Sequence, residues 1–179
     1  MAFSNFNAPM ISAIQVRIAK REDAERITSV VNSAFHGAES FFIEGDRIDV
    51  KSVLNFLDTG TFLLVESGAT LLGCVYVEPR GNRSYLGLLA IDPSRQQSGL
   101  GSALMDAAED YCRGLGLSYM DIKIVNLREE LFSFYRRRGY AEIGTSLFPT
   151  DVETKLPCHF IDMSKPLSED KRSSSSIVG

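Results

Sequence analysis

The sequence has no tryptophan, only two histidines (His36 and His159) and only three cysteines (Cys74, Cys112 and Cys158), all far apart. Zinc sites and dithiol redox motifs need closely spaced Cys or His ligands, so neither a structural metal nor metal-assisted catalysis is expected. The scattered, odd-numbered thiols read as reduced. Cys74 falls inside an expected strand and Cys112 on the apolar face of an expected helix, which assigns both to core packing. Positive charge is also in short supply. Nineteen Lys and Arg against twenty-three Asp and Glu give a formal charge of −4, leaving no broad cationic surface for a nucleic-acid partner. No apolar run approaches the roughly 20 residues that span a bilayer, so no membrane partner is expected. The stretch Met1 to Phe6 lacks the basic segment and apolar core of a secretory signal, and a cytoplasmic location is the expectation.

What is present, 44% hydrophobic and 23% charged residues over 179 positions, is the composition of one ordinary domain. Residues 1–12 show no periodicity. Residues 165–179 run through Ser168-Glu169-Asp170-Lys171-Arg172 into Ser173 to Ser176 and are too polar to bury anything, so a disordered tail is expected there. Residues 13–164 are expected to form one compact unit.

Within that unit strands and helices alternate. Ile14–Ala19 reads as a strand. Arg21-Glu22-Asp23 opens a helix whose apolar positions Ile27, Val30, Val31, Ala34 and Phe35 follow the helical repeat. A shorter helix is expected over Ile48–Leu57, antiparallel strands over Thr61–Glu66 and Leu71–Glu78, and a third strand over Ser84–Ile91. Helices over Gly99–Arg113 and Leu127–Arg138 follow, with a strand Tyr119–Val125 between them. Strands near Tyr140–Leu147 and His159–Met163 complete an α/β chain with a mixed sheet.

The most informative segment joins Ile91 to the helix that starts near Gly99. Leu100, Ala103, Leu104, Ala107, Ala108, Tyr111, Cys112 and Leu115 mark one helical face that must pack on the sheet, with Asp106, Glu109, Asp110 and Arg113 opposite. The first turn then points its unpaired N–H groups and positive dipole end outward, where an anion can meet them. Gly99 and Gly101 remove side chains that would hold a phosphate away. The dinucleotide fingerprint fails because Leu104 stands where Gly or Ala is needed, and the Gly-Lys-Ser/Thr of a nucleotide-triphosphate loop is absent. A tight turn with close helix packing also accounts for two glycines.

Gln96, two intervening residues, then Gly99-Leu100-Gly101 resembles the Gln/Arg-x-x-Gly-x-Gly/Ala motif of the GNAT superfamily of acyl-CoA-dependent N-acyltransferases. Leu89-Ala90-Ile91-Asp92-Pro93 before it is similar to that superfamily's strand end. Asn126 and the segment Leu131 to Tyr140, with Tyr135, Arg136 to Arg138 and Gly139, resemble its later motif. In element order the resemblance covers about residues 14–148, and it implies a mixed, mostly antiparallel central sheet flanked by helices. By position it also implies that Gln96, Gln97, Ser98, Gly99, Leu100, Gly101 and Ser102 hold the pyrophosphate of acetyl-CoA. Leu89, Ala90 and Ile91 would offer main-chain groups to the pantetheine arm where two strands part, and Asn126 is counted with these coenzyme-binding residues.

The resemblance further implies transfer of acetyl to a primary amine, on a small molecule or a peptide, by direct attack in a ternary complex. Coenzyme A leaves as a thiolate, and Tyr135 matches the family's tyrosine that donates to that sulfur. The Leu89 N–H is the corresponding oxyanion donor. Relatives frequently carry a glutamate on the strand Ser84–Ile91, whereas this strand has none and Tyr85 stands there. Glu78, on the neighbouring strand, is the candidate base, with a water chain as the alternative. The acceptor pocket is expected between the first helix and the second strand, where His36, Glu39, Phe41, Phe42, Glu44, Asp46 and Arg47 cluster, its acidic groups holding a cationic amine. Independently of the resemblance, Asn126 is placed to cap the helix Leu127–Arg138, and Arg136 to Arg138 to complement its dipole. The competing readings are a non-catalytic acyl-CoA sensor or scaffold and a nucleotide-phosphate binder. Many relatives form homodimers; no residue here demands one.

Overall fold

The computed structural model describes residues 14–168; the expected tail at 1–12 and most of the expected polar tail, residues 169–179, lie outside the described residues. The chain forms β1 (Ile14–Ile18), α1 (Ala24–Glu39), α2 (Val50–Thr59), β2 (Thr61–Ser67), β3 (Thr70–Arg80), β4 (Arg83–Ile91) and α3 (Leu100–Gly114). β5 (Tyr119–Val125), α4 (Glu129–Arg137), β6 (Ala141–Leu147) and β7 (His159–Pro166) follow. The seven strands lie in the order β1-β2-β3-β4-β5-β7-β6. Every pair is antiparallel except β4 with β5.

β2 and β3 are apolar on both faces because both faces are covered. On one side Phe62, Leu64, Cys74 and Tyr76 pack with Ile27 and Val31 of α1 and Val53 of α2. On the other, Leu63, Val65, Val75 and Val77 pack with Leu104, Met105 and Ala108 of α3 and with Tyr135 of α4. Each of these aliphatic side chains contributes about 1.5–3 kcal/mol by leaving water, so the helices are held to the sheet by their apolar stripes. Cys74 and Cys112 are both core residues, as expected.

One irregularity in the sheet makes room for the site. Cys74 pairs with Ala90 and Tyr76 with Gly87, so Leu88 and Leu89 together oppose Val75. Leu88 adopts φ +50°, the geometry of a β-bulge, which bends its strand. β4 accordingly pairs with β5 only from Arg83 to Leu86, against Tyr119 to Ile122. Beyond Leu86 the two strands separate, and a gap opens between their carboxyl ends.

Three expectations are corrected. Asn126 does not cap a helix: the chain turns first, with Arg128 N donating to Val125 O at 2.9 Å, and α4 begins at Glu129 with Arg128 as its N-cap residue. The Asn126 carboxamide oxygen instead accepts from His159 N at 2.9 Å, tying the end of β5 to β7. The folded unit also continues past residue 164. β7 runs to Pro166, and Leu167 is 1% exposed, its N–H donating to Ser118 O at 2.8 Å and its carbonyl accepting from Arg113 Nε at 3.0 Å. Finally, Glu109 is 3% exposed rather than on a solvated helix face, because Lys165 Nζ (2.7 Å) and the Tyr140 hydroxyl (3.1 Å) donate to its carboxylate.

Candidate active site

Between β4 and α3 the chain makes a short 3-10 turn, Pro93–Arg95, capped by Asp92, whose Oδ1 accepts from Ser94 N at 2.8 Å. Gln97 (φ +63°) and Gly99 (φ +81°) are both left-handed, and together they deliver the backbone into the first turn of α3. Gly99 occupies the N-cap with no side-chain hydrogen bond, and no acidic residue stands in that turn. The N–H groups that open α3 thus lack the usual side-chain partner and retain the positive end of a 15-residue helix. A Cβ built on Gly99 meets nothing within 4 Å, and one on Gly101 meets only Ile91 Cγ1 at 4.0 Å. The space over the helix start is therefore left open by the protein itself. A diphosphate fits the donors and the clearance found there.

This helix start floors a groove of about 540 Å³ lined by every residue from Gln96 to Ser102, with Leu89 and Ile91 on one wall and Leu131 and Phe134 on the other. Beside the groove lies an inner chamber of about 410 Å³ within the gap between β4 and β5. Phe35, Leu89, Arg128, Leu131 and Phe134 line both, so the two adjoin with shared walls. Ala90 faces the opposite way, into the core beneath α1, and Asn126 lines a separate depression beside Phe132 and Arg136. The groove brings together nine of the expected coenzyme-binding residues and leaves out these two.

Tyr135 lines the chamber with its ring edge-on to Phe134 and Tyr140, at centroid distances of 5.0 and 5.6 Å. Burial pushes its phenol up to about 12, so it holds its proton throughout the neutral range. Glu78 does not line the chamber. Its carboxylate accepts from Arg80 Nε at 2.8 Å and from the Tyr76 hydroxyl at 2.9 Å, and the Arg80 guanidinium holds the Glu78 carboxyl below the usual range. Tyr76 itself does line the chamber, beside Tyr85, whose phenol is raised by burial.

A family model described as the acetyltransferase (GNAT) family matches residues 24–140. The chain belongs to the GNAT family. Among curated relatives, the mycothiol acetyltransferase of Propionibacterium freudenreichii subsp. shermanii is 25% identical over 135 residues, covering 70% of this chain and 42% of that protein. The mycothiol acetyltransferase of Clavibacter michiganensis subsp. michiganensis is 25% identical over 142 residues, 78% of this chain and 46% of that protein. The chain spans about half the length of the curated relatives it matches. Solved structures agree on the fold. The ribosomal-protein-S18-alanine N-acetyltransferase from Escherichia coli superposes with a TM-score of 0.70 at 14% identity, covering 92% of this chain and all of that one. The PaiA N-acetyltransferase from Thermoplasma acidophilum in complex with coenzyme A gives 0.71 at 18% identity, covering 86% and 99%. The mixed, mostly antiparallel sheet with its parting of β4 and β5 is thus a GNAT fold.

Within this GNAT chamber the charge differs in sign from the sequence expectation. Of the seven residues expected around the acceptor, only Glu39 and Arg47 line it, and they are joined there by Arg128 and Lys123. Phe42 is buried in a separate cluster with Ile43 and Val125, Phe41 is exposed, and Glu44 pairs with Lys155 at 3.4 Å. His36 lines a small side pocket with Glu39 and Arg47. The lining carries three cations and one carboxylate. That carboxylate, Glu39, is buried, lies 3.2 Å from Arg128 Nη1 and 3.9 Å from Arg47 Nε, and is raised above its ordinary value by burial. Among the described residues no helix is long and apolar enough to cross a membrane, and no group of His, Cys, Asp or Glu is placed to hold a metal.

Proposed function

We propose that this GNAT protein moves an acetyl group from acetyl-CoA to a primary amine by direct attack in a ternary complex. One observation carries the reading: an uncapped helix start suited to a diphosphate and a chamber lined by a protonated phenol lie in adjoining cavities that share five lining residues. The PaiA structure with coenzyme A, on the same fold, supports it. Bound there, acetyl-CoA supplies a thioester carbonyl as the acetyl donor. The amides from Gln97 to Ser102 hold the diphosphate, and Gln96 stands beside them. At the bulge Leu88 and Leu89 together oppose Val75, and Leu89 lines both groove and chamber; we assign its N–H to receive the carbonyl oxygen as negative charge develops on it. Tyr135 hydrogen-bonds the departing sulfur.

The acceptor must lose a proton before or during attack. Glu39 is the carboxylate that lines the chamber, and its raised pKa makes it the better proton acceptor. Glu78 reaches the chamber only through the Tyr76 hydroxyl and is stabilised as an anion by Arg80, so we assign the deprotonation to Glu39, directly or through a water.

Incubating the protein with acetyl-CoA and a panel of primary amines should release free thiol in proportion to acetylated amine. Saturable coenzyme binding with no thiol release from any amine would overturn transfer and leave an acyl-CoA sensor. The absence of a carboxylate on β4, where Tyr85 stands, is the observation favouring that second reading.

A further inference from the structure

Three cations line the inner chamber, and two have protein partners. Lys123 Nζ donates to Ser146 Oγ at 2.7 Å and lies 3.3 Å from Asp162. Arg128 donates to Glu39 at 3.2 Å and to Glu130 at 2.5 Å. Arg47 differs. Its guanidinium stacks 5.4 Å from the Phe35 ring centroid, and its closest carboxylate, Glu39 at 3.9 Å from Nε, is beyond hydrogen-bond reach. Nε is buried with no hydrogen-bond partner among the described residues, while the side chain as a whole remains 29% exposed and lines the chamber.

The backbone that carries Arg47 is held firmly. The Asn32 carboxamide donates to Ile48 O at 2.9 Å and accepts from Ile48 N at 3.0 Å, clamping the very next residue to α1. Asp49 then caps α2 through Ser52 N at 2.7 Å. A guanidinium carried beside a clamped backbone segment, 5.4 Å from an aromatic ring centroid and short of hydrogen-bond acceptors on the chain, is suited to receive a planar anion from outside it.

We propose that the acceptor carries a carboxylate close to its amine, as an α-amino acid does, and that Arg47 grips that carboxylate while the amine is presented to Glu39. Arg47 Nε and Glu39 lie 3.9 Å apart on the chamber lining, near enough for one small molecule bearing ammonium and carboxylate on a single α-carbon to reach both. The inference deepens the transfer reading and rests on it.

The test compares α-amino acids with their own carboxamides and with the amines left by decarboxylation, following thiol release from acetyl-CoA. A carboxylate bound by a dedicated guanidinium should raise kcat/KM about tenfold or more over the carboxamide, mainly through KM. Arg47→Gln should bring that ratio close to one, and Arg47→Lys, which keeps the charge and loses the fork, should restore part of it. Equal use of acid and amide by the unaltered protein would overturn the proposal, as would an Arg47→Gln variant in which the ratio is unchanged.

If no acceptor of any kind is acetylated, the transfer reading itself has failed. The binding site is then read separately, by thermal unfolding of the coenzyme-loaded protein. Added amino acid should raise the midpoint more than its carboxamide does, and Arg47→Gln should abolish the difference; equal shifts would remove Arg47 from recognition.

Discussion

Tyr135→Phe separates two ways in which a phenol can assist a departing thiolate. Burial places the Tyr135 phenol at about 12, whereas a free thiol ionises near 8.5. The phenol is the weaker acid of the two, so complete proton transfer to the sulfur is uphill. The favourable contribution is instead a hydrogen bond to developing negative charge, about 1.5–3 kcal/mol. Removing it should lower kcat by roughly 10- to 150-fold, short of the 10⁴-fold upper range for a general acid. The hydroxyl has no hydrogen-bond partner among the described residues, and the ring contacts with Phe134 and Tyr140 survive the change, so folding should be little affected. The assay is thiol release at saturating coenzyme and acceptor, paired with calorimetric titration of coenzyme A. The expected outcome is a large fall in kcat with coenzyme Kd within about twofold of the unaltered protein. A kcat within threefold, or a Kd that weakens as much as kcat falls, would refute the assignment of Tyr135 to the sulfur.

Glu39→Gln should reduce kcat/KM about tenfold or more at pH 7, and the deficit should shrink as pH approaches the acceptor amine's own pKa, where free amine no longer needs a base. Glu78→Gln should leave the pH profile unchanged; a profile that moves for Glu78 and not for Glu39 would reverse the assignment. A second pH effect concerns stability. Asp23 accepts from Arg17 at 2.8 Å and from Lys20 N at 2.8 Å, and the Arg17 hydrogen bonds hold its carboxyl at about 2. A carboxyl depressed on folding stabilises above its unfolded pKa near 4 and loses that contribution as pH falls through about 2. Asp23→Asn should cost about 1–2 kcal/mol in urea denaturation at pH 7, discounted because Arg17 is one-third exposed. The cost should shrink as pH falls below 4, and a pH-independent cost would contradict the linkage.

Which features could be read from the sequence depends on how local their causes are. The open groove at the head of α3 was legible because its floor lies within seven residues: two glycines at a strand-to-helix junction need no partner to show what they permit. The helices and strands were legible from periodicity, within about two residues at most ends. The bulge was not, since Leu86-Gly87-Leu88-Leu89 reads as uninterrupted strand, and the departure of Leu88 and Leu89 from the β3 register is a property of the pairing. Glu109 was misread because a charged position opposite an apolar stripe signals solvent. Its cover comes from Tyr140 and Lys165, 31 and 56 residues away. The sign of charge in the chamber was hidden for the same reason. Arg128 turns in from the far side of the β4–β5 gap, while Glu44, which seemed to belong to the pocket, is drawn outward to Lys155.

The most direct measurement is calorimetric titration of coenzyme A and of 4′-phosphopantetheine, which lacks the diphosphate, into the unaltered protein and Gly101→Leu. Leucine is a better helix former than glycine, and its side chain would project into clear space over the first turn of α3, so the variant should unfold at the same temperature or higher. Coenzyme A should bind the unaltered protein saturably and at least tenfold more tightly than 4′-phosphopantetheine, and Gly101→Leu should erase most of that advantage. Equal affinity for the two ligands, or a variant that binds coenzyme A as well as the unaltered protein does, would contradict the claim that the open end of α3 holds the diphosphate.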